Sequence, residues 1–207
     1  MIHADVLRAV NAFYNIDRRG FYCINGALLT LIPKVPDAKE PKDFRPISLI
    51  HSFPKIMAKL MANRLATTIN ELVLHNQSAF IKGRYILDNF KYVQRSAVLL
   101  KRKKIPKLLL KLDISKAFDT VSWQFLLEVL QAWGFGNRWR GWISLLLSTA
   151  STRILLNGQP GAPIEHRRGL RQGDPLSPML FVIVMDVPNR LFAKAQLSNV
   201  LEPTGGA

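Results

Sequence analysis

Leu108-Leu-Leu-Lys-Leu-Asp-Ile-Ser-Lys-Ala-Phe-Asp-Thr120 sets a strand, a carboxylate and a helix start in one short stretch. Leu108, Leu109, Leu110 and Leu112 form an apolar run broken only by Lys111, whose stem can follow a sheet while its amine stays in water. Asp113 is therefore predicted at a strand end. Beside the backbone carbonyl of Ile114, its carboxylate supplies the hard oxygens that Mg²⁺ prefers, with positions left for phosphate oxygens. The plainer reading is that Asp113 or Ser115 caps a helix running through Val121, Phe125, Leu126 and Val129 to about Trp133. Taken alone, the segment leaves both readings open.

The rest of the 207-residue chain limits the partners. With 48% hydrophobic residues and mean hydropathy +0.08, it can bury a core as one large domain or two small lobes. Its 29 Lys and Arg against 14 Asp and Glu give a formal net charge of +15. Such an excess favours a polyanion, because each neutralised phosphate releases counterions. The longest apolar stretches, such as Met179 to Met185, fall far short of the ~20 residues of a membrane-spanning helix, so a membrane is not an expected partner. Met1 to Asn15 has no cationic start followed by an apolar core, unlike a secretory signal. The lone Cys23 rules out an intramolecular disulfide and fits a reducing, intracellular compartment. His3, His51, His75 and His166 are scattered without cysteines at metal-binding spacing, so no zinc site is expected. Lys101-Arg-Lys-Lys104 has the composition of a nuclear signal and equally that of a solvated turn before Pro106.

Periodicity gives an α+β chain. Val6, Leu7, Val10, Phe13 and Tyr14 predict a helix over about 2–16. Ala27 to Ile32 and Ile47 to Ile50 read as strands around a polar loop that holds Lys34, Lys39, Lys42 and Arg45. A helix over about 55–74 carries Ile56, Leu60, Asn63, Leu65 and Ile69, and a second over about 87–100 carries Phe90, Val93 and Val98; both are expected to support the core. A helix over 139–147 follows the Gly134-Phe-Gly136 break. Ser151 to Leu156 and Pro163 to Arg167 predict a hairpin around Asn157-Gly158. Asp174 to about Leu197 reads as helix, entered through Pro175 and Pro178.

Four segments in order resemble the reverse transcriptase of non-LTR retrotransposons, most closely the plant long-interspersed-element type. Leu31-Ile-Pro-Lys-Val35 with Phe44-Arg-Pro-Ile-Ser-Leu49 is similar to the fingers segment whose basic residues hold the incoming triphosphate. Asn76-Gln-Ser-Ala-Phe-Ile-Lys-Gly-Arg84 resembles the next fingers block. The Asp113 segment comes third, and Arg168-Gly-Leu-Arg-Gln-Gly-Asp-Pro-Leu-Ser-Pro178 resembles the palm segment beneath template and nucleotide. The resemblance runs from about Ala27 to Val187. It implies polymerase fingers over 1–105 and an incomplete palm over 106–207 of a right-hand reverse transcriptase. The intact family joins dNTPs to a DNA primer on an RNA template by two-Mg²⁺ nucleotidyl transfer.

By that resemblance Asp113 is the catalytic, metal-bridging aspartate and the Ile114 carbonyl a further metal ligand. Phe118 matches the aromatic gate whose ring occupies the place of a ribose 2′-hydroxyl. Asp119, six residues on, is turned roughly 240° away along a helix and is read as structural. Lys34 and Arg45 would meet the triphosphate, Arg45 bidentately. Gln172 and Gly173 would support nucleotide and template base, the glycine letting backbone approach closely. Arg153, Arg167, Arg168 and Arg171 would form a track for the nucleic-acid backbone. The family's next motif, an Ala-Asp-Asp turn carrying the second essential aspartate, is missing: these 207 residues contain no adjacent Asp-Asp. Asp174 and Asp186 cannot replace it, since twelve helical residues span roughly 18 Å. The expectation is therefore a fragment with weak or no Mg²⁺ binding that does not polymerise by itself. The alternative is a non-catalytic RNA- or DNA-binding module derived from a retroelement.

Overall fold

The computed structural model describes residues 2–104 and 111–201. Helix α1, Ile2–Tyr14, leads into α2, Arg18–Ile24. Asp17 caps α2 by accepting from the backbone N–H of Arg19 and Gly20, which satisfies donors that a helix start leaves free. Strands β1, Gly26–Pro33, and β2, Phe44–Ile50, form the expected antiparallel hairpin, with Leu29 opposite Ser48 and Ile32 opposite Arg45.

Helix α3, Ser52–Leu72, buries Met57, Ala58, Met61, Ala62, Leu65 and Ile69. Ile56 and Leu60 were expected inside and are exposed instead. The two sets lie on opposite sides of a 3.6-residue helix, and the side that meets the other core helices is the one carrying Met57, Met61, Leu65 and Ile69. Helix α4, Ile86–Arg102, departs further. None of its residues is buried, and Ile86, Phe90 and Val93 are 65, 64 and 42% exposed. Its amphipathic stripe is real, but no described element covers it, so it does not support the core.

The expected strand at 108–112 lies largely outside the described residues; Lys111 to Ile114 belong to no strand or helix. The long helix expected from there to Trp133 is two helices, α5, Ala117–Thr120, and α6, Trp123–Ala132. Val121 is extended, and Ser122 restarts the helix by accepting from Phe125 N–H. Helix α7, Asn137–Ser148, follows. Strands β3, Ser151–Leu156, β4, Gln159–Pro160, and β5, Ile164–Glu165, surround the predicted turn, where Asn157 and Gly158 both have positive φ as a type I′ turn requires. Helix α8, Ser177–Leu197, continues through Pro188.

The strands make one mixed sheet. β1 pairs with β2 antiparallel on one side and with β3 parallel on the other, and β4 and β5 both pair with β3. Leu65 and Ile69 of α3, Leu126 and Leu130 of α6, Ile143 and Leu145 of α7, and Val182 and Ile183 of α8 fill the core with Phe21. At the end of α3, the fully buried carboxylate of Asp186 accepts from Leu74 N–H at 2.9 Å and from Arg190 at 2.6 Å. α8 is thereby fastened to the chain leaving α3. The fold is mixed α+β, as the periodicity predicted.

Candidate nucleotide and nucleic-acid site

Two segments far apart in sequence meet at α5. Lys116, in the left-handed region at φ 51°, turns the chain into that helix. Phe118 is half-buried, and its ring stacks on Phe181 of α8 with centroids 4.3 Å apart and planes 20° from parallel. The loop before α8 folds over this turn. Gly169 N–H donates to Val121 O and Leu170 N–H to Phe118 O, both at 2.8 Å. Trp123 Nε1 donates to Gly169 O at 2.7 Å. Gly169 has φ +82°, and a Cβ there would stand 2.6 Å from Asp119 O. Conformation and space both demand glycine.

The same loop reaches the sheet. Ser48 N–H of β2 donates to Gln172 O at 3.2 Å, and Gly173 packs so that a Cβ would be 3.1 Å from Ser48 O. This is the close backbone approach read from the Gln-Gly pair. Between the loop, α5 and β2 lies a cleft of about 230 Å³ whose polar lining is Ser48, Asp119, His166, Arg168 and Gln172, with the buried Arg171 behind.

Burial pushes the His166 imidazole below its usual pKa, the charge of Arg171 adds to this, and Asp119 opposes it. The ring is hydrogen-bonded to Thr152 Oγ1 at 2.6 Å. Burial raises the Asp174 carboxyl, against the N–H of Leu176, the charge of Arg171, the N–H of Ser177 and the charge of Lys55.

The residues singled out in the sequence are partly brought together. Arg168 and Gln172 line this cleft, Gly173 follows against Ser48 of β2, Phe118 packs on Phe181 and the core beneath the α5 turn, and Arg167 is exposed next to Arg168. Lys34 and Arg45 stand at the loop end of the β1–β2 hairpin, exposed; the Lys34 ammonium donates to Lys42 O at 2.6 Å. Arg153 is separated from the others. It sits opposite Leu28, one residue from Thr152, and so on the other face of the sheet, where it lines a second cleft with Tyr22, Cys23 and His51.

Arg171 requires a correction. It is buried at 8% exposure, with its guanidinium bonded to Asn25 and Leu146. A strand phosphate cannot reach it, so it leaves the proposed track. Asp113 and Ile114 are exposed, and among the described residues no three His, Cys, Asp or Glu side chains gather to hold a metal ion. A lone exposed carboxylate with a neighbouring carbonyl does not fit a two-ion centre.

Sequence reasoning also missed residues. Asn25, Gly169 and the clasp from Trp123 carried no periodic signal. A glycine inside Arg168-Gly-Leu-Arg171 was the one hint of a tight approach.

The profile of the family described as reverse transcriptase (RNA-dependent DNA polymerase) matches residues 32–201, most of the chain and the whole of the α5 turn and the 168–173 loop. The chain belongs to the reverse transcriptase family.

Its relatives place it among the non-LTR retrotransposons, as the motifs indicated. It is 34% identical over 160 residues, 77% of this chain, to the transposon TX1 uncharacterized 149 kDa protein of Xenopus laevis. It is 35% identical over 158 residues, 75% of this chain, to the Pol polyprotein of the type-1 element R2 of Nasonia vitripennis. Over 180 residues, 84% of this chain, it is 30% identical to the Pol polyprotein of the type-2 element R2DM of Drosophila melanogaster. This reverse transcriptase segment spans 12, 15 and 17% of the lengths of those three relatives.

Proposed function

We propose that residues 1–105 are the fingers and 106–207 part of the palm of an RNA-directed DNA polymerase, together forming the surface that receives a dNTP and an RNA template paired to a DNA primer. The carrying observation is the loop 168–173, bonded at one end to the Phe118 turn and at the other to β2. Gln172 and Gly173 support the nucleotide and its template base from that loop. Phe118, stiffened by its stack on Phe181, stands where a ribose 2′-hydroxyl would fall. Arg45 and Lys34 take the triphosphate at the loop end of the hairpin, and Arg167 and Arg168 the nucleic-acid backbone.

Asp113 and the Ile114 carbonyl are the oxygens this segment offers to Mg²⁺. They do not by themselves fit two ions, and these 207 residues are expected not to extend a primer unaided. A second reading, a nucleic-acid-binding module without catalysis, draws on the net charge of +15 and on the lack of a carboxylate cluster among the described residues.

Primer extension on an RNA template with dNTPs and Mg²⁺ tests both. The chain is compared with one continued through a family-type Asp-Asp hairpin and thumb, each with and without Asp113→Ala. Extension by the continued chain that disappears in Asp113→Ala supports the polymerase reading. Primer–template binding with no extension in either form supports the binding module.

A further inference from the structure

Gln172 and Gly173 stand in solvent, yet the residues on either side of them are charged and turned inward. Arg171 donates to Asn25 O at 3.2 Å, to Asn25 Oδ1, and to Leu146 O at 3.3 Å. Asn25 is fully buried; its Nδ2 donates to Leu146 O at 2.8 Å and to Thr149 Oγ1 at 2.7 Å. Thr149 Oγ1 in turn donates to Leu145 O at 2.6 Å. These bonds set the amide one way round, with Oδ1 toward the guanidinium and Nδ2 toward the carbonyl.

On the other side, Asp174 Oδ1 accepts from Leu176 N–H at 2.7 Å and Ser177 N–H at 3.2 Å, holding the start of α8. The acceptors of Arg171 among the described residues are neutral oxygens, a costly setting for a guanidinium. What this setting secures is geometric: the start of β1, the end of α7 and the loop are joined at one residue, immediately before Gln172.

We infer that Arg171 and Asp174, with Asn25 as the buried acceptor, are positioning residues for nucleotide binding: two inward stakes that hold Gln172 and Gly173 against β2 before any nucleotide arrives. The inference rests on the proposed function and deepens it. A loop held in advance spares the ligand the ordering entropy it would otherwise oppose. A guanidinium suits the role because its planar fork reaches the oxygens of Asn25 and Leu146 together, which an ammonium cannot do in the same geometry.

The test is equilibrium binding of the complementary dNTP to the chain loaded with an RNA template and a DNA primer ending in a dideoxynucleotide. Arg171→Lys is expected to weaken dNTP binding roughly tenfold while leaving primer–template affinity and its salt dependence unchanged. Equal loss of primer–template affinity with a shallower salt slope would make Arg171 a strand contact and overturn the inference. Unchanged dNTP binding by folded Arg171→Lys would overturn it alone, whereas no dNTP binding by the unsubstituted chain would overturn the proposed function with it.

Hydrogen exchange on the unsubstituted chain decides the matter even where variants misfold. The amides of Ser48, Leu176 and Ser177 should exchange as slowly as those of Gly169 and Leu170. Exchange at the rate of open loop amides would show that the loop is not held.

Discussion

The carbonyl oxygen of Asp119 lies 2.6 Å from where a Cβ on Gly169 would stand, and this contact closes the loop over the Phe118 turn. Gly169→Ala should therefore cost at least about 3 kcal/mol, from the left-handed conformation and the collision with backbone together. Gly158, at φ +79° with nothing within 4 Å, shares the conformation without the collision. Gly158→Ala should cost about 1 kcal/mol. Urea unfolding of the two variants checks the difference; equal costs would mean that the Asp119 contact gives way.

Phe118 has two tasks under the proposed function, and they separate experimentally. Phe118→Val removes most of the stack on Phe181 and should lower stability by about 1–2 kcal/mol. Phe181→Leu should cost a similar amount. Only Phe118→Val should narrow the preference for dNTP over rNTP in binding to a loaded primer–template. If both variants narrow it equally, Phe118 acts through packing and not by facing the sugar.

Asp186 is fully buried, while the side chain of its partner Arg190 is 47% exposed. Asp186→Ala leaves Leu74 N–H without its acceptor and removes the carboxylate from the guanidinium, which keeps its bond to Leu72 O. After discounting for solvent around Arg190, the loss should be about 2 kcal/mol. Asp186→Asn keeps an oxygen for Leu74 and should cost about half as much. Chemical denaturation measures both, and an Asp186→Ala variant as stable as the parent would show the fastening to be dispensable.

His166 predicts an acid limb in stability. Its pKa is lowered in the folded state, chiefly by burial, so the unfolded chain binds more protons as pH falls below 6.5. The folded state then loses stability as pH drops through the interval between 6.5 and the lowered value. Asp174 slopes the other way. Its raised pKa means that the folded state holds more protons above 3.8, and the contribution, full below 3.8, is lost as pH rises through the raised value. His166→Gln should flatten the profile just below neutrality, and Asp174→Asn should remove the opposing slope at lower pH. An acid limb unchanged in His166→Gln would assign it to another group.

The elements were legible where the pattern was long or the turn chemistry local. The β1–β2 hairpin, the span of α3 and the Asn157-Gly158 turn fall where alternation, 3.6-residue spacing and paired positive-φ residues put them. Sidedness was less legible. Met57 and Met61 went inward in place of Ile56 and Leu60, because the choice of buried face is made by neighbouring elements and not within the helix. The site was readable as motifs but not as depth. Arg167, Arg168 and Arg171 look alike in one dimension, and only the meeting with Asn25, 146 positions earlier, draws the last of them inside. No local rule of composition could supply a contact made across that separation.

The parallel pairing of β1 with β3 puts Gly26 beside Ser151, which orders events in time. On a ribosome the β1–β2 hairpin emerges about a hundred residues ahead of the strand that completes its inner edge, an interval of roughly 5–20 s at ordinary elongation rates. During that interval one side of β1 offers open backbone groups to any extended chain nearby. The sheet of this segment is thus finished late, by its last strands, and a pause or break in translation before β3 would leave an edge suited to aggregation.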